Sequence, residues 1–265
     1  MNVLNEIEKN MTLKQIKSKK IWIQQMAMYI MLFTKTDQYI AKLYSDEEHA
    51  KSMISLHQAL VKSGLHVPKI IQNKFGEYDS VLSNGTHCVV YSFLNGKELG
   101  DVFKNLNADI SAKIAREVKK IHQTTAGENL FNLKEVPFEI EEKFDRYSAL
   151  HFDLTRCNIF YHDEWPEKIG FIDFDDAKYG PSVIDVAITI SLLYFSKSRG
   201  VDYEGLNAFI DAYYDDVEVK KKEVPYLKKY AIKWIDYGMD HHEFDSSTTE
   251  SFEIRKNLIE SDSHF

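Results

Sequence analysis

The hydrophobic pattern changes period about a third of the way along the chain. Residues 26–33 are apolar and β-favouring, Thr34 to Gln38 reads as a turn, and residues 39–44 alternate as a second strand. The alternation puts Tyr39, Ala41 and Leu43 on one face and Ile40, Lys42 and Tyr44 on the other. A lysine so placed lies either on a solvated face or aims into a cleft. Ser45 followed by Glu48 reads as a capping box opening a helix, with Ala50, Met53, Ile54, Leu60 and Val61 at helical spacing and Gly64 as its stop. Residues 87–94 read as a buried strand ended by Asn95-Gly96. Beyond Gly100 the period is helical, carried by Ile110, Ile114, Val118 and Ile121, and Pro181 opens an apolar helix running through Leu193. The pattern therefore predicts an α+β chain of two lobes: a β-rich lobe over 1–94, a hinge over 95–100, and a helical lobe over 101–265. Clefts between lobes are favoured ligand sites.

One polar segment interrupts the helical part. Residues 151–158 (HFDLTRCN) place His151, Asp153 and Asn158 in one short loop, and residues 172–177 (IDFDDA) place Asp173 at the end of an apolar run. Residues 159–161 and 169–172 read as two strands, with the turn near Trp165-Pro166. A hairpin symmetric about that turn sets Asn158 across from Asp173. An amide oxygen facing a carboxylate is a hard-oxygen site suited to Mg²⁺, which keeps waters and takes substrate phosphates as ligands. Asp153 then stands ready to receive the proton of an attacking hydroxyl, an arrangement for phosphoryl transfer.

Composition narrows the class further. With 44% hydrophobic and 28% charged residues, the 265-residue chain has the profile of a soluble globular protein. Cys88 and Cys157 are too few for a disulfide framework and lack zinc-site spacing, which points to a reducing cytoplasm. The N-terminus carries Glu6 and Glu8 and does not read as a signal peptide, and the stretch 184–195 is too short to span a bilayer. A net charge of −8 argues against nucleic acid as a partner. From Val201 onward there are 15 acidic and 8 basic residues. That excess is either a solvated helical surface or an acidic wall that attracts a cationic substrate.

H-x-D-L-x-x-x-N, then I-D-F-x-D-A, then G-P-x-x-x-D-V-A resembles the aminoglycoside phosphotransferase and choline kinase-like family, which has a two-lobed protein-kinase-like fold. The resemblance implies a small-molecule kinase using Mg²⁺ and ATP or GTP. It makes Asp153 the catalytic base, Asn158 and Asp173 the metal ligands, and Lys42 the contact to the α- and β-phosphates. It places adenine at the strand end around Tyr91 and Phe93, and gives His151 and Asp185 structural duties. Together with the acidic C-terminal part, it suggests a small cationic acceptor.

The chain also departs from the family. Phe152 follows His151 where the family has glycine, and Arg156-Cys157 precedes Asn158 where it has a Pro-Gly or similar pair. Arg156 reads as a phosphate contact or as a solvated side chain. The helix after Lys42 has no acidic residue between His49 and Ser63, residues 20–33 hold no glycine, and only 28 residues separate His122 from His151. Asp175 is a candidate further ligand, and Asp176 reads as a turn former. His241-His242 reads as surface; Tyr213-Tyr214, Trp234 and Tyr237 read as core packing or a stacking wall. Rival readings are a degenerate kinase fold that binds nucleotide or a partner without catalysis, and a metal-dependent phosphoesterase.

Overall fold

The computed structural model describes residues 3–11, 18–23, 28–34 and 37–263. The chain divides into two compact units, Met1–Asn95 and Gly96–Phe265.

The first unit is a sheet flanked by helices. Its elements are α1 (Val3–Asn10), β1 (Ser18–Ile23), β2 (Met28–Phe33), β3 (Gln38–Tyr44), α2 (Glu47–Lys62), β4 (Ile70–Ile71), β5 (Ser80–Val81) and β6 (His87–Ser92). The strands run antiparallel in the order β1-β2-β3-β6-β4, with β5 also on β6. The strand expected from residue 26 begins at Met28; residues 26 and 27, and 35 and 36 of the expected turn, lie outside the described residues. Strand alternation sorts β3 as its sequence implies. Ala41 and Leu43 join Ile30, Leu32, Cys88 and Val90 in a core closed by Ile7 and Met11, with Tyr39 packed against it. Helix α2 starts one residue later than the capping-box reading: Asp46, not Ser45, accepts from the amides of Glu48 (2.9 Å) and His49 (3.4 Å). A carboxylate at this position answers both the orphan amides and the helix dipole. Gly64, at φ 82°, ends the helix in the left-handed conformation that glycine adopts without a Cβ clash.

The second unit contains β7 (Lys97–Glu98), α3 (Leu99–Val102), α4 (Ala108–Thr124), β8 (Tyr147–Leu150), β9 (Ile159–Tyr161), β10 (Ile169–Phe171), β11 (Lys178–Pro181), α5 (Ser182–Tyr194), β12 (Phe195–Ser196), β13 (Gly200–Val201), α6 (Tyr203–Tyr213), α7 (Val217–Glu223), α8 (Leu227–His241) and α9 (Ser246–Ser261). Its centre is α5, apolar all round and buried at nearly every position. Helix α5 packs against α8, α6 and β8, while α4 lies along α6. Strand β9 pairs with β10 on one side and β7 on the other. Gly96 permits that pairing: at φ 155°, a Cβ there would stand 3.1 Å from the Tyr161 carbonyl oxygen. Among the described residues, no helix is long and apolar enough to cross a membrane.

Candidate active site

The polar loop leaves β8 at His151 and is anchored from below by α5. Asp185 is the one charged residue of that helix and is fully buried. Its Oδ2 accepts from the His151 amide (3.0 Å), and its Oδ1 accepts from the Phe152 amide (2.8 Å). His122 of α4 contacts Oδ2 at 3.0 Å and the Tyr213 hydroxyl at 2.7 Å. Burial alone would raise the Asp185 pKa, but the His122 contact and the Phe152 amide outweigh it and hold the carboxyl below its usual range. A buried carboxylate with this many donors fixes the backbone on which Asp153 stands.

His151 is fully buried, and its Nε2–H donates to the Ile172 carbonyl at 2.9 Å, tying the loop to the end of β10. Burial holds its pKa below the ordinary value, so it is a neutral strut. Phe152 has φ 71°, a conformation glycine adopts freely and a phenylalanine holds only under constraint. The constraint is visible: Asp185 pins the amide, and the buried ring stacks on Phe138 at 6.3 Å.

Asn158 Nδ2 donates to Asp153 twice, to the carbonyl at 2.8 Å and to Oδ2 at 3.1 Å. Those bonds fix the amide's orientation and turn its Oδ1 away from Asp153. The hairpin register differs by one residue from the symmetric reading. Ile159 pairs with Phe171, and the Ile172 amide donates to the Asn158 carbonyl (3.0 Å), so Ile172 rather than Asp173 lies opposite Asn158. The turn is asymmetric, with Lys168 at φ 63°. Asp173 follows at φ 64°, a left-handed residue that breaks the strand's alternation and redirects its side chain. Asp153 is half-buried, and its pKa is pushed up to about 7, first by burial and then by the charges of Asp176 and Asp173; the Asn158 bond and Arg255 act in the opposite direction. Asp173 and Asp176 therefore lie within electrostatic reach of Asp153.

The donor chemistry fits a magnesium ion. An amide oxygen and a carboxylate are hard ligands, and two of them leave room for water and phosphate oxygens. Among the described residues no group of three or more His, Cys, Asp or Glu is arranged to hold a metal, so Asn158 and Asp173 would do so only together with such outside ligands.

Other sequence-derived candidates fall elsewhere. Arg156 is neither a phosphate contact nor solvated: Nη1 donates to the carbonyls of Phe103 (3.1 Å) and Lys104 (3.0 Å), and Nη2 to that of Leu193 (3.2 Å), clamping α3 to the end of α5. Cys157 is exposed, and partial desolvation with nearby Glu98 raises its pKa, which disfavours a thiolate. Tyr213 and Tyr214 are buried around the Arg146 guanidinium (5.3 and 5.4 Å), which itself pairs with Glu223. His241 stacks on Tyr237 at 4.5 Å and is exposed.

In the first unit, Lys42 is only 8% exposed, which removes the solvated-face reading. Its Nζ lies 4.9 Å from the Tyr29 ring centre and 5.6 Å from that of Tyr91. Glu47 pairs instead with Lys51 at 2.7 Å. Tyr91 is a core residue whose backbone lies between β3 and β4, and the Phe93 amide donates to the Gln38 carbonyl at 3.1 Å. The acidic residues after Val201 serve mainly as caps (Asp202, Asp216, Asp245) and lysine or arginine partners (Asp211, Asp215, Glu218, Glu223, Asp236, Glu250). They do not form the unpaired acidic wall that the charge count suggested.

Comparison with known proteins bears on the fold. Residues 144–218 match the phosphotransferase enzyme family. The fold is that of the small-molecule kinases. Amicoumacin kinase, solved with AMP-PNP, Ca²⁺ and Ami, superposes with a TM-score of 0.72 at 15% identity, covering 98% of this chain and 94% of its own. A microcompartment-associated aminopropanol kinase gives 0.74 at 15% identity, covering 97% and 94%. Spectinomycin phosphotransferase, solved with ADP and spectinomycin, gives 0.70 at 14% identity, covering 97% and 95%. Among curated proteins no sequence matches the chain. The two-lobed protein-kinase-like fold expected from residues 151–187 is thereby established.

Proposed function

We propose that the protein is a nucleoside-triphosphate-dependent kinase that phosphorylates a hydroxyl group of a small molecule. The observation that carries this reading is Asn158 bonded to the Asp153 carboxylate, with the Asp173 charge close enough to raise the Asp153 pKa. In the reaction, the acceptor oxygen attacks the γ-phosphorus, the bond to the β,γ-bridging oxygen breaks, and the nucleoside diphosphate leaves. The hydroxyl proton passes to Asp153, whose elevated pKa suits it to accept one near neutral pH. Asn158 and Asp173 would hold a magnesium ion, which would supply charge neutralisation for the transferring phosphoryl group. Lys42, buried between two tyrosine rings, is the proposed phosphate contact of the first unit, and the end of β6 around Phe93 the proposed adenine contact. Tyr91 supports that site from the core.

Phosphoryl transfer from ATP and from GTP to a panel of hydroxylated compounds tests the proposal. Asp153→Asn should lower turnover by roughly 10²–10⁴-fold, the usual contribution of a general base, while nucleotide affinity stays within a few-fold. Asp173→Ala should instead weaken Mg-nucleotide binding itself. Normal turnover by Asp153→Asn would remove the base from the mechanism. Nucleotide binding with no transfer to any acceptor would favour a degenerate, binding-only kinase fold, and hydrolysis of phosphate esters without nucleotide would favour the phosphoesterase.

A further inference from the structure

Two segments of the second unit carry the proposed chemistry: the loop 151–158, with Asp153 and Asn158, and the turn 173–177 after β10, with Asp173. Their near ends are joined at the hairpin. His151 Nε2 donates to the Ile172 carbonyl, the Ile172 amide donates to the Asn158 carbonyl, and the buried Phe174 ring lies 4.4 Å from that of His151. Each of these contacts reaches His151 or Asn158, the two ends of the loop. The residue beside Asp153 is joined to the far end of the turn by Lys178.

The Lys178 backbone is set in β11, opposite Leu150 of β8, and the neighbouring Tyr179 amide donates to the Lys134 carbonyl at 2.8 Å. Strand pairing therefore fixes where the side chain starts. That side chain is half-buried: its Nζ donates to the Asp176 carbonyl at 3.0 Å and lies 5.5 Å from the centre of the Phe152 ring. Other lysines of this unit pair with carboxylates, Lys168 with Asp163, Lys220 with Asp211 and Lys229 with Glu141 and Glu142. Lys178 instead gives its hydrogen bond to the main chain and its charge to a ring face, both attractive to an ammonium. Phe152 holds a left-handed backbone, which persists only where its surroundings over-determine it. Asp185 on its amide and Phe138 on its ring are two constraints, and Lys178 is a third.

We propose that Lys178 is a positioning residue for phosphoryl transfer, a clamp that holds the segment carrying Asp173 against the residue beside Asp153. The proposal rests on the kinase reading for the duties of those two aspartates. Transfer of this kind depends on placement more than on covalent chemistry, so a clamp between base and metal ligand acts on turnover itself.

Lys178→Met and Lys178→Arg decide it, with Lys134→Met as control. Methionine keeps an apolar stem and loses the cation and the donor, whereas arginine keeps both, because a guanidinium also donates to carbonyls and lies over rings. Lys134 is exposed and meets β11 through its backbone, so its substitution removes a nearby charge and leaves the clamp. Amide hydrogen exchange reads the clamp at Phe152, Asn158 and Ala177, whose amides are all hydrogen bonded. In Lys178→Met these amides should exchange at least ~10-fold faster while those of α5 keep their rates. Lys178→Arg and Lys134→Met should match the unaltered protein. Phe152→Leu, which removes the ring face, tests the clamp from its other end and should speed exchange at Ala177, even where Lys178→Met does not fold. Transfer to an acceptor found among the hydroxylated compounds reads the consequence. Lys178→Met should lower kcat by ~10-fold or more with the acceptor KM within ~3-fold, the pattern of misplaced groups rather than lost binding, and Lys178→Arg should restore it. Unchanged exchange at Ala177, acceleration spread over the whole chain, a normal kcat in Lys178→Met, or the same losses in Lys134→Met overturns the proposal. The two readings fail separately: no transfer by the unaltered protein to any acceptor sinks the kinase reading while exchange still judges the clamp, and normal transfer with unresponsive exchange sinks the clamp alone.

Discussion

At the scale of the residue, Phe152 and Asp185 show how a costly conformation is kept. A left-handed phenylalanine is strained by roughly 1–3 kcal/mol, and glycine would relieve that strain. Removing a buried aromatic ring costs roughly 3–5 kcal/mol, and Phe152 is 6% exposed against Phe138. The second effect is larger, so Phe152→Gly is expected to destabilise the protein by roughly 1–3 kcal/mol, measured as a lower urea midpoint at unchanged slope. An unchanged or higher midpoint would show that strain outweighs packing. Asp185 is the more exposed point of failure. Asp185→Asn leaves His122 facing a weaker acceptor and one loop amide without its oxygen, and each hydrogen bond lost to a buried charged group costs about 1.5–3 kcal/mol. Its loss should appear as reduced stability and, because Asp153 is positioned by the same loop, as reduced turnover in whatever fraction still folds.

At the scale of the element, the β9–β10 hairpin and the loop before it form one unit joined by His151. The histidine is neutral and fully buried, with its pKa below 6.5. The unfolded chain therefore takes up a proton that the folded chain resists, so this group's contribution to stability is present above pH about 6.5 and is lost as pH falls below it. His151→Gln should flatten the fall in unfolding free energy between pH 7 and 5, by up to ~1.4 kcal/mol per pH unit. An unchanged slope would assign the acid sensitivity to other groups. The hairpin was also the most legible part of the chain, since both strands and the residues of the loop follow from local pattern. What local pattern did not supply was register: a turn with a left-handed Lys168 moved Asn158 opposite Ile172. The same limit explains Asp46 replacing Ser45 as a cap, because both are good N-caps and chain geometry chooses between them. Arg156 and Arg255 lay further out of reach. Their partners, the carbonyls of Phe103, Lys104, Leu193 and Phe195, carry no side-chain signature and are brought near only by helix packing.

At the scale of the molecule, the net charge of −8 was a poor guide to chemistry because most acids after Val201 are tied to caps and cations. A quantity that does report on the whole chain is ligand-linked stability. If the proposed donor binds the folded protein alone, it adds about 2.7 kcal/mol at a hundred times its dissociation constant. For a chain of this length each kcal/mol moves the melting temperature by about 2–4 °C, so Mg-ATP or Mg-GTP should raise it by roughly 5–10 °C. Because Asn158 and Asp173 would hold the ion together with nucleotide phosphates, EDTA should remove most of that gain while doing little to the nucleotide-free protein. Asp173→Ala should behave like EDTA, and Asp153→Asn should keep the full shift, since its carboxylate acts on the acceptor's proton rather than on the donor. A shift of equal size with and without the divalent ion would place the nucleotide away from the hairpin. A full shift in Asp173→Ala would assign the ion to other ligands, with Asp175 the nearest in sequence.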